Sequence, residues 1–193
     1  AVAPESKIRS TATYDAAAAL VTLKAWDRAI PVLESFRRDF PQDKLQPEVT
    51  RSLAVAYSET GRAGEAASEF ERIASSATED PAVRREATMQ AADLYAKAGN
   101  ASQSVAMLEL FVAAYPTPVP EAIEVRQRLA EAAAAGGDTT KQQFWQREII
   151  RTDATAGAAR TDRTRFLAAR AQLALATPTR DAFRGVRLTA PLK

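Results

Sequence analysis

The residues best suited to chemistry are arginines near the C-terminus and one pair of carboxylates. Arg180, Arg184 and Arg187 recur at i, i+4 and i+7, which puts them on one face of a helix. Arg160, Arg163 and Arg170 form a second, partial stripe. A guanidinium fork suits phosphate or carboxylate, so this basic end fits a polyanion or an acidic partner. Aromatic stacking groups are confined there to Phe166 and Phe183, both on the apolar pattern, so nucleic acid is disfavoured. Glu79-Asp80 has the composition of a general acid–base pair, but it precedes Pro81 in a loop-like stretch where such charges are solvated. Gly136-Gly137 lacks the Lys-Ser/Thr that completes a phosphate loop.

What is missing narrows the chemistry further. The 193 residues contain no cysteine and no histidine. That excludes a disulfide framework, a thiol nucleophile, thiolate metal sites and triads of the Ser-His-Asp type. The chain therefore reads as a non-enzyme with no cofactor, no metal and no small-molecule substrate. No apolar run approaches the roughly 18 residues of a membrane helix, so no transmembrane segment is expected. The chain opens Ala1-Val2-Ala3-Pro4 without methionine, which reads as a processed product or part of a larger protein. A net charge of +2 hides a gradient: residues 1–137 sum to −4 and residues 138–193 to +6.

The elements that position these residues follow from a repeat. Lys24-Ala25-Trp26-Asp27-Arg28-Ala29-Ile30, Gly61-Arg62-Ala63-Gly64-Glu65-Ala66-Ala67 and Gly99-Asn100-Ala101-Ser102-Gln103-Ser104-Val105 align without gaps. A weaker copy starts at Gly136-Gly137. With Lys24, Gly61, Gly99 and Gly137 as equivalents, the offsets are 37, 38 and 38. Ahead of each such position lies one amphipathic helical pattern, and after it a second, for example Ala66/Phe70/Ile73 or Val105/Leu108/Phe111. The glycines mark left-handed caps, and Pro41, Pro81 and Pro116 close the units. No strand pattern is present. Two-helix units of this kind bury their apolar stripes only by stacking, so the expected fold is all-α, an α-solenoid of about five antiparallel helix pairs.

On these residues the chain resembles the tetratricopeptide repeat family. Tyr57 and Tyr95 match its first-helix tyrosine, Leu53 its leucine, and Ala54 and Ala92 its small residue. Ala29 and Ala66 match its second-helix alanine, Phe70 its aromatic, and Pro41 and Pro116 its closing proline. Thr13, Thr50 and Thr88 stand where the family has tryptophan, and Ser104 and Gln142 replace the second-helix alanine in units three and four. The Phe36–Pro41 and Phe111–Pro116 endings and the long period resemble bacterial cell-envelope members, which implies a periplasmic or envelope location, with the cytoplasm as the alternative. The expected organisation is a single superhelical domain over 8–193 after an extended segment 1–7. Its units lie at about 8–46, 47–81, 82–117 and 118–156. A capping or degenerate pair follows at 158–190, with Pro178 opening its second helix and Phe183 and Val186 facing inward.

The resemblance implies a scaffold that takes a peptide or helix of a protein partner in a concave groove lined by the first helices. Carried onto this sequence, the groove residues are Tyr14, Glu48, Arg51, Val55, Glu86, Met89, Asp93, Gln127 and Glu131, a mildly acidic set. The alternative is a non-catalytic arm of a larger enzyme or secretion assembly, gripping a polyanion or acidic partner through its basic C-terminal face at Arg180, Arg184 and Arg187.

Overall fold

The computed structural model describes residues 4–186, and among these the regular structure is helical with no strand. Units one to four each hold two helices: α1 (Pro4–Thr22) and α2 (Trp26–Asp39), α3 (Gln46–Glu59) and α4 (Ala63–Ser75), α5 (Pro81–Lys97) and α6 (Ala101–Ala114), α7 (Val119–Ala135) and α8 (Thr139–Thr155). A short 3₁₀ turn, Gly157–Ala159, leads to α9 (Asp162–Gly185). The expected all-α repeat architecture is therefore present. The chain divides into two compact units, Ala1–Met107 and Leu108–Lys193, where a single domain was expected.

The repeat is visible in the backbone. Lys24, Gly61, Gly99 and Gly137 all take positive φ, at 53°, 74°, 80° and 73°. After each, the next amide closes a six-residue turn: Ala25 N donates to Leu20 O, Arg62 N to Tyr57 O, Asn100 N to Tyr95 O and Asp138 N to Ala133 O. This is the Schellman arrangement, which ends a helix by satisfying carbonyls left without partners. Only Lys24 pays the Cβ penalty of that conformation. Lys24→Gly should raise stability by about 0.5–1 kcal/mol and Gly61→Ala lower it by about 1, read as urea midpoints. A Cβ at Gly61 meets no atom within 4 Å, so that loss would come from the backbone alone.

Threonine in place of the family's tryptophan has a simple account. The hydroxyls of Thr13, Thr50 and Thr88 donate to the carbonyls of Arg9, Gln46 and Arg84, one turn back, so a polar group is accommodated within the helix. Arg126, the equivalent in unit four, sends Nη1 to Ala122 O in the same way, and burial lowers its pKa. Thr164 continues the series in α9, followed by Leu167 and Ala168 at the places of Ala91 and Ala92. Helix α9 is thus the first helix of a fifth unit.

In the first unit, Ala29, Leu33 and Phe36 from α2 share a core with Val49, Leu53 and Ala56 from α3. The alanines at 29, 54, 66 and 92 are all at most 1% exposed, where paired helices approach closely. Two tyrosine–carboxylate bonds join neighbouring repeats: Tyr57 Oη donates to Glu34, and Tyr95 Oη donates to Glu71 Oε2 at 2.5 Å. Burial, then the facing carboxylate, raises the pKa of both phenols. Arg37 crosses from α2 to α4, with Nη1 on Glu69 Oε1 at 2.6 Å and Nη2 on Oε2 at 2.5 Å. In the second unit, Ile123, Ile149, Leu167, Ala168 and Ala171 form one core cluster.

Two expectations at the ends are corrected. Helix α1 begins at Pro4, so residues 4–7 are helical where an extended segment was expected; proline at a first helical position loses no hydrogen bond. At the other end there is no fifth hairpin among the described residues. Leu175 occupies the turn-glycine position, no left-handed residue breaks the chain, and α9 runs through Pro178 to Gly185. Phe183 and Val186, expected inward, are 79% and 64% exposed. Residues 187–193 lie outside the described set.

Candidate functional site

The candidate surface is the face presented by the first helices, and its charges are set by local packing. In the first unit, Tyr14 is half-buried on α1, with its ring edge-to-face with Phe36 at 6.0 Å. It contributes packing beneath the face. On α3, Arg51 is exposed, with Nη2 3.1 Å from Glu48 Oε1 and Nη1 on Glu79. Two carboxylates therefore hold this one guanidinium. Val55, one turn further along, is 45% exposed. On α5, Glu86 and Asp93 are exposed and Met89 is half-buried between them in sequence. The two acids are seven residues apart, two turns or about 10 Å along one face. Gln90 Nε2 donates to Glu86 Oε1 at 3.0 Å.

The loop carboxylates now have structural work. Glu79 folds back onto Arg51, and Asp80 caps α5 by accepting from Ala82 N at 2.7 Å. Glu79 is the contributor that the groove pattern omits, because it comes from the loop before α5 and not from a first helix.

In the second unit the acids are matched by arginines from α9. Gln127 donates to Glu131 at 2.7 Å, and Arg170 Nη2 approaches the same carboxylate at 3.4 Å. Arg163 makes a forked contact to Glu124, at 2.6 Å through Nε and 3.1 Å through Nη2. These partners are 39 residues apart, one unit and one position, a spacing from which the pairing could have been found. Arg160 reaches back to Asp153 at 2.7 Å. The three arginines of the second stripe thus hold α9 and its entry turn in place. Of the predicted basic end, Arg180 contacts Asp181 at 2.9 Å and Arg184 is exposed, while Arg187 lies outside the described residues. The structure places Glu48 with Arg51, and Gln127 with Glu131; Tyr14, Val55 and Met89 supply the apolar part.

A tetratricopeptide repeat family model matches residues 86–118, most of unit three. No curated protein matches the chain in sequence. Among solved structures, the chain is similar to the nearly identical TPR-like repeats of a candidate kinesin light chain from Podosopora anserina. The identity is 20% over 91% of this chain and 90% of that one, with a TM-score of 0.50. A singly substituted form of those repeats matches at 19% identity over 93% and 92%, also with a TM-score of 0.50. The likeness is one of fold, and the fold is a TPR-like α-solenoid. Within the described residues, no helix is long and apolar enough to cross a membrane.

Proposed function

We propose that the chain is a non-catalytic scaffold that binds a peptide or helix of a protein partner on the first-helix face of α1, α3 and α5, in the bacterial cell envelope. The observation that carries this reading is the charge state of that face. Arg51 is shared by Glu48 and Glu79, and the exposed Glu86 adds another acid, so the surface is net negative around Val55 and Met89. A negative surface with apolar inlays favours a neutral or basic segment over an acidic one. The second unit supports the reading less, since Glu124 and Glu131 are matched by Arg163 and Arg170.

An array of 15-residue peptides spanning basic, neutral and acidic sequences tests it. The chain should select basic or neutral peptides, and Glu86→Lys with Asp93→Lys should weaken the best of them about tenfold or more, equivalent to roughly 1.4 kcal/mol. Undiminished binding by the double variant would remove this face from consideration. The envelope location rests on the resemblance of the repeat endings, and fractionation that finds the native protein wholly in the cytosol would overturn it.

The second reading, a polyanion held by the C-terminal basic face, is supported by the exposed Arg180 and Arg184. It predicts binding to heparin that falls steeply with salt and disappears in Arg180→Glu, Arg184→Glu.

A further inference from the structure

The two terminal helices each expose an apolar stripe, and the stripes match two halves of an interface that the array already uses. Ile8 on α1 and Leu23 just past its end are 70% and 74% exposed, and Ala12, Ala16 and Ala19 between them are exposed as well. Shifted by one period of 37, the three alanines fall on Val49, Leu53 and Ala56, all at 0% exposure. Those residues are buried with Ala29, Leu33 and Phe36 of α2. Helix α1 therefore presents the face that α3 gives to α2, with nothing among the described residues upon it.

The complementary half lies on α9. Phe166, Ala169, Leu173 and Ala176 are spaced 3, 4 and 3 and are exposed, Phe166 at 56% and Leu173 at 63%. On α2, Trp26, Ala29, Leu33 and Phe36 have the same spacing and the same order of aromatic, alanine and leucine. The opposite face of α9, with Thr164, Leu167, Ala168 and Ala171, is the buried one. The places of Phe166 and Leu173 hold Ser52 and Glu59 in unit two, Gln90 and Lys97 in unit three, and Arg128 and Ala135 in unit four. An apolar stripe here is thus a departure from the repeat and not a product of it.

We propose that the outer face of α9 in one molecule docks on the open face of α1 in a second copy of this chain, in the manner in which α2 packs on α3. The bulky Phe166 and Leu173, about 10 Å apart along the helix, meet the small surface of Ala12, Ala16 and Ala19. Such a contact is heterologous, so each molecule keeps one open face and association does not stop at two. One helix face against another buries less than the roughly 1,200 Å² of a stable interface, so association is weak and depends on concentration.

Sedimentation velocity from about 10 µM to 1 mM, a range suited to weak affinities, decides the matter. The average mass of the wild-type chain should rise through that range. Ala16→Glu, which blocks α1, and Leu173→Glu, which blocks α9, should each stay monomeric. Their equimolar mixture should form a species of two chains and nothing larger, because each variant supplies the face the other lacks. Ala12→Glu and Phe166→Glu form a second pair should either first variant fail to match the wild-type circular dichroism. A wild-type chain that stays monomeric throughout, as it would if these stripes served a different partner, overturns the proposal. So does either blocked variant associating alone, which would mean like-with-like pairing, or a mixture that remains monomeric.

Discussion

Replacing Arg37 by methionine should destabilise the chain by about 2–4 kcal/mol, somewhat less than the roughly 3–5 kcal/mol for breaking a fully buried ion pair. The Glu69 side chain is 7% exposed, and both of its oxygens face the Arg37 fork at 2.5–2.6 Å. Arg37 itself is 25% exposed at its side chain, and Arg72 stands 3.9 Å from Glu69, so some of the orphaned charge finds relief. Adding Glu69→Met should restore most of the loss, because the cost lies in a charge left buried and not in the absence of the pair. Arg37→Lys should fall between, keeping the charge but losing the fork and its reach to Thr50. Urea unfolding followed at Trp26, with Trp145 replaced by phenylalanine, gives the readout for this unit. A midpoint unchanged in Arg37→Met would show that the pair contributes nothing.

The corresponding test in the second unit is Asp153→Ala, expected to cost about 2–3 kcal/mol, as for hydrogen bonds to a buried charged group. Asp153 is 2% exposed near the end of α8 and accepts from Arg160 and from the Thr164 hydroxyl, each at 2.7 Å. Thr164 in turn forms a capping box with Thr161 at the start of α9, so one carboxylate anchors the junction of two helices. Burial acts to raise the Asp153 pKa, but the bonds from Arg160 and Thr164 prevail and hold it below the usual value. Because the folded value is depressed, its stabilisation is complete above the unfolded value near 3.9 and is lost as pH falls through the folded one. The gap between wild type and Asp153→Ala should therefore be full at pH 7 and close on acidification, as read from Trp145 with Trp26 replaced. A gap independent of pH would assign the loss to packing alone.

Much of this fold could be read from residue spacing. Lys24 aligned with three glycines although its type gives no hint of a left-handed turn, and all four positions take positive φ. A proline marks a helix end only in company with a residue that turns the chain. Proline closes units at 41 and 116 after a helix has already ended, whereas Pro31 and Pro178 lie inside α2 and α9. The difference is the missing glycine at 175: without a residue that turns the chain, one proline on an exposed face leaves the helix to continue. Charge was less legible than fold. The gradient from acidic to basic is real in composition, but Arg163 and Arg170 meet Glu124 and Glu131, so part of it cancels locally. Cross-helix partners of this kind leave only a faint signal in one sequence, because each residue alone resembles a solvated surface charge.

The tyrosine–carboxylate bonds bear on how such an array changes length. Unit two holds Tyr57, which bonds backward to Glu34, and Glu71, which receives Tyr95 from the unit ahead. One two-helix module thus encodes both sides of the joint it makes. An in-frame duplication of that module would place a second Tyr57 against a first Glu71, sealing the new junction with residues already selected for the old ones. Growth by whole modules preserves the joint, whereas a gain or loss of part of one separates tyrosine from carboxylate.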